Sequence, residues 1–123
     1  MHALLVIAHG SRGAESNDEI RTLAEKLKSE SGNYDLISYG FLELADPDIT
    51  SSCQQLISQG VTQITVLPYF LVAGKHVTQD VPKQIKQIQS NNPQVKFTIA
   101  PYIGSSDVIS ELVTSHLKSL HLE

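Results

Sequence analysis

Ala3-Leu4-Leu5-Val6-Ile7-Ala8 is an unbroken apolar run that stops at His9-Gly10 and gives way to a helical pattern. A strand that is apolar at every position needs cover on both faces, the condition of a parallel sheet with crossover helices above and below it. The same alternation of strand and helix continues along the chain. From Glu15 to about Ser31, Ile20, Leu23, Ala24 and Leu27 recur at helical spacing among charged residues. Tyr34 to about Leu42 reads as a second strand. Asp46-Pro47 is expected to open the next helix, with aspartate as N-cap and proline in the first turn, and Ile49, Cys53, Leu56 and Ile57 form its apolar stripe before Gly60. Val61 to Phe70 reads as a third strand. After a loop, a helix is expected from near Asp80, carrying Val81, Ile85 and Ile88 inward until Asn91-Asn92-Pro93 stops it. Val95 to Ala100 alternates with Lys96 and Thr98, as a half-exposed edge strand does. Ser105 or Ser106 is expected to cap a last helix that bears Ile109, Leu112, Val113, Leu117 and Leu120.

Four such βα units imply an α/β fold, a three-layer αβα sandwich around a four-stranded parallel sheet, because parallel strands require crossovers and these are right-handed. The first strand is the most uniformly apolar and the fourth the most alternating. Strands one and three are therefore expected at the centre and two and four at the edges, in the order 2-1-3-4. The 123 residues fit one domain, 1–123, with no room for a second lobe. A hydrophobic content of 41% with 18% charged residues suits a globular protein, and no apolar run is long enough to cross a bilayer. A net charge of −4 argues against a nucleic-acid partner. The first apolar run has no basic flank before it and lacks the layout of a signal peptide, so a cytoplasmic location is expected. Cys53 has no second cysteine to pair with and reads as a buried small hydrophobe.

In a doubly wound sheet, ligands sit beyond the carboxyl ends of the strands, where neighbouring connections diverge to opposite faces. His9 follows the first strand, Glu43 the second, and the segment from Pro68 to His76 the third, so three groups suited to divalent metals are expected on one edge. His2 precedes the first strand, His121 is terminal and His116 falls by the apolar stripe of the last helix, which suits structural or solvent-facing roles. The turn His9-Gly10-Ser11-Arg12-Gly13 offers backbone N–H groups to an anion, but it lacks the lysine of a P-loop and the GxGxxG spacing, so a nucleotide site is not expected. Arg12 and Lys75, each beside a candidate histidine, are placed to meet ligand carboxylates.

Ala8-His9-Gly10-Ser11-Arg12, then Gly40-Phe41-Leu42-Glu43 with Pro47, then Pro68-Tyr69-Phe70-Leu71 leading to Gly74-Lys75-His76-Val77 with Asp80 and Pro82, together resemble the CbiX/SirB sirohydrochlorin chelatases of the class II chelatase group. The resemblance runs along nearly the whole chain. It implies insertion of a divalent metal (cobalt, iron or nickel) into sirohydrochlorin, on a branch toward cobalamin, sirohaem or a nickel tetrapyrrole. His9 and His76 match the family's metal-handling histidines and Glu43 its active-site acid, with Ser11, Arg12 and Lys75 as candidate substrate contacts. The metal is then a substrate, and no permanently bound cofactor is expected. Many members of the family have two such domains facing each other across the tetrapyrrole, whereas this chain has one, and the resemblance implies a homodimer that makes the same cleft.

Metal insertion exchanges two pyrrole protons for one cation. The site must hold the metal loosely, release it to the macrocycle and receive protons, tasks for neutral histidine and a carboxylate. Two other classes compete. A histidine phosphatase also carries His-Gly after its first strand, but arginine precedes its nucleophile and here that position is Ala8. A non-catalytic metal or tetrapyrrole carrier would use the same histidines, and the sequence leaves carrier and catalyst, as well as the choice of metal, open.

Overall fold

The central strand β1 (His2–Ala8) pairs in parallel with β2 (Leu36–Phe41) on one side and β3 (Gln63–Pro68) on the other, and β4 (Lys96–Ile99) pairs with β3. The computed structural model describes residues 1–72 and 74–120, with Lys75 and His76 described as backbone only; His121 lies outside the described residues. The sheet order is 2-1-3-4, as the burial pattern of the sequence implies.

Because side chains alternate across a strand, β1 feeds two cores. Ala3, Leu5 and Ile7 meet Ile49, Cys53 and Leu56 of α2 (Ile49–Ser58) and Val81, Ile85 and Ile88 of α3 (Lys75–Asn91). Leu4 and Val6 point the other way, where Leu23, Ala24 and Leu27 of α1 (Ala14–Glu30) and Ile37 of β2 complete a smaller cluster. The two faces are thus covered unequally, by α2 and α3 on one and by α1 on the other. The connections after β1 and β3 consequently leave to opposite faces, which opens the crevice at their carboxyl ends.

Three boundaries differ from expectation. Helix α2 starts at Ile49 with Asp48, not Asp46, as its N-cap: the Asp48 carboxylate accepts from the Ser51 N–H at 2.7 Å, and the Asp46–Pro47 peptide, in cis, belongs to the preceding turn. The third strand is shorter than Val61 to Phe70. Helix α3 begins at Lys75, about a turn and a half before Asp80, with Gly74 as N-cap and Thr78 N–H donating to the Gly74 carbonyl at 3.1 Å. Pro82 lies inside the helix, and Val77, four residues before Val81, already continues the inward stripe. Lys75 and His76 therefore sit in the first turn of a helix and not in a loop.

The last helix departs furthest. After a 3-10 turn at Ile103–Ser105, α4 (Val108–Ser119) has Asp107 at its N-cap position, and the Ser106 hydroxyl accepts from the Val108 N–H at 3.2 Å. None of its residues is buried, and Leu112, Val113, Leu117 and Leu120 of the apolar stripe are exposed. Its principal neighbour is the 3-10 turn itself.

Local chemistry explains the glycine of the second motif. A Cβ on Gly40 would lie 2.8 Å from the Ser52 hydroxyl, which is buried against β2 and donates to the Tyr39 carbonyl at 2.8 Å. Only a residue without a side chain lets α2 approach this closely. Cys53, one position on, is wholly buried, and desolvation pushes its thiol up to about 12. Native protein is expected to leave Cys53 unmodified by a thiol reagent at pH 8, with one thiol titrating after unfolding in guanidinium. Truncating Leu5→Ala is expected to cost about 2–5 kcal/mol in urea unfolding, the range for a fully enclosed aliphatic side chain.

Candidate functional site

The parallel pairing of β1 and β2 does not end with the strands. Leu42 N–H donates to the Ala8 carbonyl at 2.9 Å and Glu43 N–H to the His9 carbonyl at 3.0 Å. These two bonds carry the register past the sheet edge and set the His9 and Glu43 side chains side by side. Gly10 makes this possible: its φ is +96°, and a Cβ there would fall 1.9 Å from the Glu43 carbonyl oxygen. Immediately after Glu43, Leu44 adopts φ +66°, an unfavourable region for a branched side chain, and turns the chain sharply away.

His9 Nε2 stands 3.2 Å from Glu43 Oε1, with the side chains 53% and 57% exposed. The other ring nitrogen, Nδ1, is 3.1 Å from the Gly10 carbonyl oxygen. A carbonyl can only accept, so Nδ1 carries the proton in this contact. In the neutral ring, Nε2 then presents its lone pair toward the carboxylate, and two Lewis bases face one gap. When His9 is protonated, the same contact is an ion pair.

A cavity of about 360 Å³ opens at this pair, lined by His9, Leu42, Glu43, Asp80 and Gln84. Asp80 and Gln84 come from α3, at positions four and eight residues beyond His76, and the helical period puts all three positions on one face of that helix. In the sequence Asp80 stands out only as part of a motif, and Gln84 not at all. Once the helix is known to start at Lys75, the i, i+4, i+8 series is the signal that finds both. Among the described residues, no three His, Cys, Asp or Glu side chains gather closely enough to form a complete metal cage, and His9 with Glu43 is the pair in reach.

The β1–α1 turn is held from behind. Asn17, 7% exposed, accepts from the Ser11 N–H at 3.0 Å and donates to the Ser11 carbonyl at 2.7 Å. The Ser11 hydroxyl oxygen accepts from the Gly13 N–H at 3.0 Å, which closes the turn and leaves its own proton for a ligand. Arg12 is exposed. Arg21 braces the next loop: it donates to Asp18 Oδ1 at 2.7 Å and to the Asp46 carbonyl at 3.2 Å, with its guanidinium 5.7 Å from the ring centres of Tyr39 and Phe41. The hydrogen bond to Asp18, followed by Tyr39, raises the Arg21 pKa above its ordinary value. The other candidates separate. His2 Nε2 lies 2.7 Å from the Thr65 hydroxyl at the opposite end of the sheet and His116 is on exposed α4, so neither is near the cavity.

Fold and site together define an α/β protein with a histidine and a carboxylate converging at the switch point of its sheet. The chain belongs to the CbiX family, which it matches over residues 3–120. It is 34% identical over 120 residues to the sirohydrochlorin cobaltochelatase of Sulfurisphaera tokodaii, across 98% of this chain and 94% of that one. Among solved structures, the CbiX protein from Marinobacter aquaeolei VT8 superposes with a TM-score of 0.83 at 30% identity, covering 97% of this chain and 96% of that chain. The sirohydrochlorin chelatase SirB from Bacillus subtilis subspecies spizizenii, solved in complex with cobalt, superposes with a TM-score of 0.84 at 27% identity. That match takes in 96% of this chain but 50% of SirB, so SirB is about twice as long.

Asn17→Ala removes both bonds that clamp Ser11, and a buried amide of this kind is worth about 1–3 kcal/mol. The variant is expected to unfold at correspondingly lower urea concentration.

Proposed function

We propose that the protein is a sirohydrochlorin chelatase that inserts a divalent metal, cobalt in the first instance, into the macrocycle. The observation that carries the reading is the gap between His9 Nε2 and Glu43 Oε1. Nitrogen and oxygen donors that share a divalent ion at about 2.0–2.2 Å stand roughly 3.0–3.4 Å apart, and here the separation is 3.2 Å. The proposed metal donors are His9 and His76, with Glu43 beside them. His76 follows β3, in the first turn of α3, one helical turn before Asp80 of the cavity wall.

The chemistry follows from charge and proton balance. The incoming ion displaces any proton on His9 and is held by two or three donors, fewer than it can accept, so its remaining positions are open to pyrrole nitrogens. As the macrocycle takes the metal, two N–H protons leave it. At that moment His9 and Glu43 regain their lone pairs and can receive those two protons, one each. Both side chains are more than half exposed, so the protons then pass to water. Arg12, Lys75 and the Ser11 hydroxyl are proposed to meet substrate carboxylates, local groups that offset the net charge of −4. Cobalt is favoured over iron because the cobaltochelatase of Sulfurisphaera tokodaii matches over 94% of its length.

We further propose that residues 1–123 work as one half of a cleft, with a homodimer supplying the other wall, in the cytoplasm. Support comes from the open cavity of about 360 Å³, which a flat macrocycle cannot enter fully, and from the twofold length of SirB.

The test is anaerobic sirohydrochlorin with cobalt, iron and nickel in turn, followed by absorbance. His9→Ala and His76→Ala are each expected to slow insertion by about 10²-fold or more, on the scale of losing a group that handles protons or metal in the reaction. Glu43→Gln keeps shape and removes the charge, so it is expected to slow insertion far more than it weakens tetrapyrrole binding. Metal and tetrapyrrole binding without insertion by the wild type would make the protein a carrier, and wild-type rates in both histidine variants would remove the metal site.

A further inference from the structure

The cavity at the His9–Glu43 pair does not end at Gln84. That side chain, half-buried, also lines a second cavity of about 260 Å³, together with Thr50 from the first turn of α2 and Gln87, Ile88 and Asn91 of α3. The two spaces share Gln84 as a common wall, and the outer one lies between helices α2 and α3, which pack against each other. Asp80, Gln84, Gln87 and Asn91 follow one another by four, three and four residues, so they form one row along α3. At 1.5 Å per residue the row is about 16 Å long. It starts at the metal pair and ends on the flank of the protein, where Thr50, Gln87 and Asn91 are exposed.

The chemistry of the walls changes along this row. Its outer part offers hydroxyl and amide groups beside the buried Ile88, and its inner end meets the carboxylates of Glu43 and Asp80. Among the described residues, neither cavity has a lysine or arginine in its wall. The carboxylates therefore draw a cation inward and repel an anion, which makes a carboxylate arm of the tetrapyrrole a poor occupant. Neutral amide and hydroxyl oxygens hydrogen-bond the water around a divalent ion without competing with imidazole for the ion itself. Such walls guide a hydrated ion and do not trap it. Six waters at about 30 Å³ each need roughly 180 Å³, which the outer cavity of about 260 Å³ accommodates.

The open mouth of the crevice cannot serve this ion once substrate is bound. A flat macrocycle whose nitrogens take the metal from His9 must lie across the carboxyl edge of the sheet, and in the paired cleft proposed above the second copy covers it from the other side. We propose that the α2–α3 groove is a separate entry for the hydrated divalent metal, with Gln84 at its inner end, so that the ion reaches His9 and Glu43 while the tetrapyrrole is already in place. The inference rests on the chelatase reading and adds to it a route and an order of binding.

The experiment blocks the groove in protein that has already folded. Gln87→Cys is made in the full chain and alkylated with N-phenylmaleimide, while buried Cys53 stays unreactive. Ser29→Cys, exposed on α1 at the other face of the sheet, is alkylated in the same way as the control. Anaerobic insertion of cobalt is followed by stopped-flow absorbance in two orders, sirohydrochlorin before Co²⁺ and Co²⁺ before sirohydrochlorin. The wild type and the labelled Ser29→Cys protein are expected to insert in both orders. The labelled Gln87→Cys protein is expected to slow by about tenfold or more when sirohydrochlorin comes first, as access becomes rate-limiting, and to keep its rate when Co²⁺ comes first. Equal rates in the two orders for that protein would overturn the route: both fast would leave the metal entering by the mouth, and both slow would make position 87 part of the substrate site. A wild type that inserts only when Co²⁺ comes first would overturn it as well. Binding of metal and tetrapyrrole by the wild type with insertion in neither order would remove the chelatase reading itself.

Discussion

Two backbone hydrogen bonds beyond the end of a strand pair organise this protein's chemistry. Leu42 to Ala8 and Glu43 to His9 extend the β1–β2 ladder past the sheet, and the donors of the candidate site stand at its last rung. A parallel ladder fixes the relative position of its two strands, because each rung is tied to the rungs before it. Loop residues positioned in this way inherit the rigidity of the sheet. Gly10 is the structural condition, since any side chain there would collide with the carbonyl of the residue being positioned. Asn17 from α1 and Arg21 against Tyr39 and Phe41 secure the two loops from the outside.

The second organising constraint is unequal cover. Helices α2 and α3 close one face of the sheet, while α1 covers the other alone, over β1 and β2 and as far as Leu67 of β3. This asymmetry produces the crevice, because the connections after β1 and β3 diverge. Among the described residues, no helix packs broadly on the β3–β4 half of that face, and α4 meets chiefly the 3-10 turn before it. Fold and site are in this sense one design: an unequally covered sheet whose crevice lies at its carboxyl edge.

The site itself is chemically plain. His9 and Glu43 are more than half exposed, and the histidine is oriented by a backbone carbonyl and not by a buried carboxylate. A metal held between exposed donors is easily given up, which suits an ion that is substrate and not a permanent component. A deeply buried cage would bind more tightly and release more slowly.

By itself, the sequence determined the four strands, their parallel order and the presence of His9 and Glu43 at one edge. The reason is that burial imposes a pattern: β1, apolar throughout, can only be central, and Lys96 and Thr98 can only mark an edge. It left the start of α2 at Asp46 and that of α3 near Asp80, since a proline signals a turn or a first helical turn without saying which. Pro47 lies before its helix and Pro82 within one. Asp80 and Gln84 were invisible as site residues for the same reason, their place depending on where α3 begins. The fate of α4 was decided by tertiary structure alone. An amphipathic pattern states that a helix needs an apolar partner, but where the chain before it delivers the helix depends on contacts distant in sequence, and here α4 follows a 3-10 turn whose Gly104 N–H is bonded to the Phe70 carbonyl.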